Sequence, residues 1–199
     1  MKLSILILTH NRPELFKRCF KSAMNDYNFE ILVNNDNQDI EEIQGGKYFY
    51  EKSDNLADLY KFLFNKAKGE YVIFLEDDDY FTDDFFHLLD FEYDVNYFNY
   101  MSYDIRKTVK RAQQKFEIES KNINFQLSQI MFKKSLVSEF PTNNDLDNDW
   151  NLFQHIKTKT NSIKIVKDYA FIQTTDGKDN ISFEKYNKDR RWNILNKPE

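Results

Sequence analysis

Cysteine and glycine are scarce in this 199-residue chain, and each scarcity closes off a class of function. The single cysteine, Cys19, forbids a disulfide within the chain and suits a reducing compartment. With His10, His87 and His155 far apart, it also leaves no grouping at zinc spacing. Gly45, Gly46, Gly69 and Gly177 fit neither a dinucleotide fingerprint nor a phosphate loop, so phosphate would have to be held by another device. No serine stands in a nucleophile elbow, which argues against covalent acyl chemistry. No apolar run approaches the roughly 18 residues that span a bilayer, and Met1-Lys2 leads into a short run broken by His10, Asn11 and Arg12, unlike a secretory leader. The expectation is a soluble, cytoplasmic protein with no transmembrane segment. A net charge of −5 argues against a surface built to neutralise many phosphates.

What is present alternates between two periods. Leu3 to Leu8 is a short apolar strand, Thr9 to Pro13 a turn, and Leu15, Phe16, Cys19, Phe20 and Ala23 recur at helical spacing. Phe29 to Val33 predicts a second strand opening into the polar loop Asn34 to Asp39, and Lys47 to Tyr50 a weaker third. Asn55 to Lys68 predicts an amphipathic helix stopped by Gly69. Tyr71 to Leu75 completes a β-α alternation that implies a parallel sheet. Further on, Phe81 to Phe91 predicts a short helix, Tyr97 to Ser102 a strand, and Lys107 to Lys115 a charged loop or helix. Phe125 to Phe132 predicts a strand, Lys133 to Phe140 a short helix, and Trp150 to Ile156 a helix starting at Asn148 or Asp149. One or two strands are expected in Ser162 to Thr174 and an amphipathic helix in Phe183 to Leu195. The length suits one domain, with the second half extending the same sheet.

The informative stretch is Tyr71-Val72-Ile73-Phe74-Leu75-Glu76-Asp77-Asp78-Asp79, where an apolar strand turns without a spacer into consecutive carboxylates. Like charges so close require a cation or must take up protons. At the C-terminal edge of a strand they would lie in the crevice where open α/β sheets bind ligands, and their hard oxygens suit Mg²⁺ or Mn²⁺. A solvated acidic turn is the plain alternative; the abrupt junction favours a site. Asp149, at a predicted helix start, is either a capping carboxylate or a catalytic one, and the two roles are compatible. His10 in the first loop is equally compatible with ligand contact and with solvent.

Three blocks, SILILTHNRPELFKRCFKSAMNDYNFEILVNNDNQD, NKAKGEYVIFLEDDDYF and DNDWNLFQHI, resemble the signatures of the family-2 inverting glycosyltransferases. The resemblance implies an α/β single domain of the A-type glycosyltransferase fold, with a mostly parallel central sheet flanked by helices and a Rossmann-like N-terminal half. Residues 1–90 would form the nucleotide-binding half and 91–199 the acceptor side. It also implies that Thr9 and Arg12 line a nucleotide pocket and that Asn35 and Asp36 lie near uracil and ribose. Glu76 falls toward the ribose, Asp78 is the ligand of Mn²⁺ or Mg²⁺, and Asp77 is a neighbour able to exchange roles. Asp149 is then the general base.

The chain departs from that pattern in three places. Asn34 and Asn35 replace the usual aspartate of the second loop, Tyr60 and Lys61 stand where an arginine near the diphosphate is common, and no histidine follows Gln173. Lys61 and Asp176 are the substitutes on offer. The reaction implied is transfer of a sugar from a nucleotide diphosphate donor, with UDP foremost, to an acceptor hydroxyl with inversion. A non-catalytic nucleotide- or sugar-binding relative and a metal-dependent nucleotidyltransferase are the rival readings. The acceptor is open among a saccharide, a lipid-linked sugar, a protein and a modified nucleic-acid base. The basic stretch Arg106 to Lys115 is either a solvated face or a contact for an anionic acceptor or membrane surface, which would make the protein peripheral.

Overall fold

Strand β1 (Leu3–Thr9) is buried on both faces because its side chains alternate between two cores. Leu3, Ile5 and Ile7 share one core with Phe16, Cys19, Phe20 and Ala23 of helix α1 (Pro13–Ala23). Leu6 shares the other with Leu63 and Phe64 of α2 (Leu56–Lys66) and with Leu152, Phe153 and Ile156 of α4 (Asn148–Lys157). Each Leu, Ile or Phe side chain among these contributes about 1.5–3 kcal/mol relative to exposure, so the period-2 pattern fixes which helix covers which face. The structure, a computed structural model, describes residues 1–36, 40–53, 55–104, 109–113, 126–140 and 148–175.

The remaining elements are β2 (Glu30–Asn35), β3 (Gly46–Phe49), β4 (Tyr71–Glu76), β5 (Tyr80–Phe81), the one-turn helix α3 (Phe85–Leu88), β6 (Val95–Asp104), β7 (Val109–Gln113), β8 (Ile130–Lys133) and β9 (Ile163–Thr175). They form one sheet in the order β3-β2-β1-β4-β8-β6-β9-β5, with β7 pairing β6 off that path. The first four strands are parallel, as the β-α alternation predicts. Beyond them the sheet is mixed: β8 is antiparallel to β4 and β6, β9 runs parallel to β6, and β5 is antiparallel to β9. The second half therefore does extend the first sheet.

Several local expectations are corrected. Asn34 and Asn35 are the last residues of β2 and not the start of its loop. Tyr80 and Phe81 form a strand paired with Ile172 and Phe171, and only Phe85–Leu88 of the predicted 81–91 helix is helical. The face-to-face stacking of Phe81 on Phe85, 3.6 Å between centroids, packs that strand on the helical turn. Residues 109–113 are strand, paired with β6, where a loop or helix was expected. Residues 127–129 and 134–136 are 3-10 turns flanking β8, in place of a longer strand and a helix. Gly69 does not cap α2, which ends at Lys66; a Cβ there would lie 2.5 Å from the Ser4 backbone nitrogen, so the glycine permits close approach to β1. The predicted helix at 183–195, Asp176, and Arg106 and Lys107 of the basic stretch lie outside the described residues.

Candidate active site

β1 is hydrogen-bonded to β2 on one side and to β4 on the other, so the connections leave its end in opposite directions and open a crevice there. The register brings three chain segments to one level: Thr9 pairs with Asn35, and Leu8 with Glu76. Thr9, His10 and Arg12, then Asn35 and Asp36, then the acidic run therefore meet at one edge.

A backbone hydrogen bond from Asp79 N to Glu76 O, 3.0 Å, folds the acidic run into a tight turn. Its carboxylates divide into two groups. Glu76, Asp78 and Asp79 each offer an oxygen within 4.8 Å of the others. Asp77 points instead toward Arg12, whose Nη1 lies 3.2 Å from Asp77 Oδ1 and 2.9 Å from Asp78 Oδ2, and the His10 N–H donates to Asp77 Oδ2 at 3.4 Å. Asp77, Asp78 and Asp79 are buried.

Burial decides the electrostatics. It pushes the Glu76 carboxyl well above the usual range, aided by the charges of Asp78, Asp149 and Asp77 and opposed by Arg12. Burial, then Asp78 and Glu76, do the same to Asp79, against the pull of the Thr174 N–H. Asp77 is raised by burial to about 6, with Arg12 pulling it down. Arg12 stays charged: burial works against it, but Asp77 and Asp78 hold its guanidinium above its ordinary value.

Asp149 lies in the first turn of α4, where the helix dipole favours its charge. Burial nevertheless raises it to about 7, opposed by a hydrogen bond from the Leu127 backbone. Its charge is felt at both Glu76 and Tyr60. The carboxylate from the second half of the chain thus lies near enough for its charge to raise Glu76 of the acidic turn.

The structure adds Asp79 and Arg18 to the residues that the sequence singled out, and gives others their partners. Asp79 belongs with Glu76 and Asp78, although only its place in an acidic run marked it. Tyr60, edge-on to Phe74 at 5.1 Å, has its phenol pushed well above the usual range by burial and then by Glu76, Asp149, Asp77 and Asp78. Lys61, one residue on, lies 3.4 Å from the exposed carboxylate of Glu139. Asn34 is occupied by the backbone of Glu51, donating to its carbonyl at 3.0 Å and accepting from its N–H at 2.9 Å. His10 Nδ1 and Asp36 Oδ1 are 2.5 Å apart and tie the end of β1 to that of β2. Arg18 of α1 reaches the acidic turn from below; its helical position gave no signal of that.

Glu76, Asp78 and Asp79 fit a hard divalent cation. Asp79 Oδ2 is buried with no hydrogen-bond partner among the described residues, and three carboxyl groups converge on one small volume that burial makes costly for anions. No described helix is long and apolar enough to cross a membrane.

Residues 4–155 match the pattern of glycosyl transferase family 2. The fold is similar to S. aureus TarS residues 1–349, with a TM-score of 0.71 and 17% identity over 100% of this chain and 67% of that one. The same TarS segment in complex with UDP-GlcNAc gives a TM-score of 0.69 at 16% identity, over 100% of this chain and 68% of that one. Its UDP complex gives 0.70 at 18%, over 100% and 67%. No curated protein sequence matches the chain. The sequence pattern over residues 4–155 and the shared architecture lead to one conclusion: this chain belongs to glycosyl transferase family 2 and has an A-type α/β fold.

Proposed function

We propose that the protein transfers a sugar from a nucleotide diphosphate donor, UDP-linked, to an acceptor hydroxyl, with inversion and with Mn²⁺ or Mg²⁺ bound. The observation that supports this reading is that the charge of Asp149, from the second half of the chain, acts on Glu76, whose carboxyl clusters with those of Asp78 and Asp79. Similarity of fold to a TarS segment solved with UDP and with UDP-GlcNAc supports the choice of donor. Residues 1–90 carry the donor and the later residues face the acceptor.

Glu76, Asp78 and Asp79 would hold the cation, which when bound offsets the charge on the departing diphosphate. Thr9, Arg12, Asn35 and Asp36 line the nucleotide side, with Asp36 oriented by His10. Arg12 keeps Asp77 in its charged form and adds a positive group beside the diphosphate. Lys61 is a further candidate contact for the donor. Asp149 accepts the proton of the acceptor hydroxyl at its carboxylate as that oxygen attacks the anomeric carbon, and one displacement inverts the centre. Its acidity near neutrality suits it to take that proton and release it again. A cytoplasmic setting fits the lone buried thiol of Cys19.

Incubation of the protein with UDP-sugars and Mn²⁺, following release of UDP, tests the reading. Turnover that disappears in Asp149→Asn and Asp78→Ala supports it; undiminished turnover in both sinks it. One observation favours a rival, a binding protein without turnover: Arg12 already supplies a positive charge to Asp77 and Asp78. That rival requires nucleotide binding unaffected by Mn²⁺ and no UDP release with any donor.

A further inference from the structure

Helix α1 touches the acidic turn through one side chain that none of the roles above uses. Arg18 Nη2 donates to the backbone carbonyl of Asp78 at 2.6 Å and to Thr174 Oγ1, near the end of β9, at 2.9 Å. Its guanidinium carbon lies 4.5 Å from the ring centroid of Tyr80, the residue that follows the turn. The same Thr174 donates its backbone N–H to Asp79 Oδ1 at 3.0 Å. One guanidinium thus grips the middle of the turn, its exit and the strand end that holds the last carboxylate. Asp79 Oδ1 is committed to Thr174, and the partnerless, buried oxygen is Oδ2.

We propose that Arg18 is a positioning residue for the divalent cation: through the Asp78 carbonyl and Thr174 it fixes the turn so that Asp79 presents Oδ2 alongside Glu76 and Asp78. This rests on the cation reading above and deepens it. A planar fork suits the task better than an ammonium, because its face stacks on Tyr80 while its edge bonds two acceptors. Removing an outer partner of a metal ligand usually weakens metal binding by about 10–100-fold, and the hydrogen bonds of Arg18 to the Asp78 carbonyl and Thr174 Oγ1 are the route by which its loss would be felt.

The test is Mn²⁺ binding to the metal-free protein, read as the signal of free Mn²⁺ by electron paramagnetic resonance, with no substrate present. Arg18→Met keeps the packing stem and removes the fork; its Kd for Mn²⁺ should rise roughly tenfold or more, and Arg18→Lys should recover part of the loss. Thr174→Val leaves α1 intact and should also weaken binding, with the double variant no worse than Arg18→Met. Folded Arg18→Met with a Kd within about twofold of wild type would overturn the role. If that variant fails to fold, Thr174→Val with wild-type affinity overturns it instead. Wild type that binds no Mn²⁺ takes down the cation reading along with this one, whereas tight binding in wild type and variants alike takes down this one alone.

Discussion

Arg12 and Asp78 are joined across the ends of β1 and β4, with Nη1 2.9 Å from Oδ2 and both side chains nearly closed off from solvent. A guanidinium in that position substitutes for part of the charge a bound cation would bring. Replacing Arg12 by Met leaves Asp77 and Asp78 buried without their partner, a loss of about 3–5 kcal/mol for a broken buried pair. The expected outcome is a lower melting temperature without metal, with more of it restored by Mn²⁺ than Mn²⁺ adds to wild type. Differential scanning fluorimetry with and without Mn²⁺ checks this; equal metal-induced shifts in the two proteins would contradict it.

Transfer should depend on pH through Asp149. A base must be ionised to act, and burial places this carboxyl at about 7. The rate is therefore expected to fall about tenfold per unit as pH drops below that value, and to level off above it. Asp149→Asn should lose roughly 10²–10⁴-fold in kcat and show no such limb. Initial rates from pH 5 to 9 with saturating donor decide the matter.

The metal-free protein should be more stable in mild acid than in mild base. Glu76, Asp79, Asp77 and Asp149 all have folded-state values above their ordinary ones. The folded state therefore binds more protons than the unfolded chain, and stability falls as pH rises from the ordinary carboxylate range through 6 and 7. Asp90 and Asp94 have the opposite sign, lowered by hydrogen bonds to Lys164 and Lys133, and their contribution is lost only as pH falls through the acid range. Thermal melts at pH 5.5 and 8 should differ in favour of the lower value, and Mn²⁺ should narrow the gap. A higher melting temperature at pH 8 without metal would count against the burial of these carboxyls.

Gly69→Ala should cost about 1–3 kcal/mol by overpacking. The added carbon would meet the Ser4 backbone nitrogen at 2.5 Å and the Tyr71 carbonyl at 2.6 Å, and neither can swing aside as a side-chain tip could. The change lies at the opposite end of β4 from the carboxylates, so Mn²⁺ affinity should stay unchanged. Chemical denaturation with parallel metal titration separates the two effects.

The first half of the fold was legible in the sequence because β1, β2 and β4 are doubly buried strands whose apolar runs end abruptly at polar residues. The acidic turn was legible for the same reason. Sequence could not divide its members, since which carboxylates converge and which two meet Arg12 depends on the turn that Asp79 N closes on Glu76 O. Asn34 illustrates another limit: an amide beside a loop reads like a ligand contact, yet here it secures the backbone of Glu51. The error at residues 81–91 came from a strand whose partner is remote, with Tyr80 and Phe81 pairing with Ile172 and Phe171; pairing across such a separation leaves no local period to detect. At 109–113 the partner β6 is the preceding strand, with Asp104 opposite Val109, and the charged Lys110 and Arg111 masked the strand pattern.

Strand β8 runs antiparallel beside β4, and the 3-10 turn that leads into it carries the Leu127 amide that hydrogen-bonds Asp149. Asp149, the proposed proton acceptor, is consequently tethered to the neighbour of the very strand that ends in Glu76. Pairing of β8 with β4 at residues 71–73, with the usual strand spacing of about 4.8 Å, fixes where that turn sits beside β4. A substitution that shifted β8 along β4 would then move the Leu127 amide, and the proposed base with it.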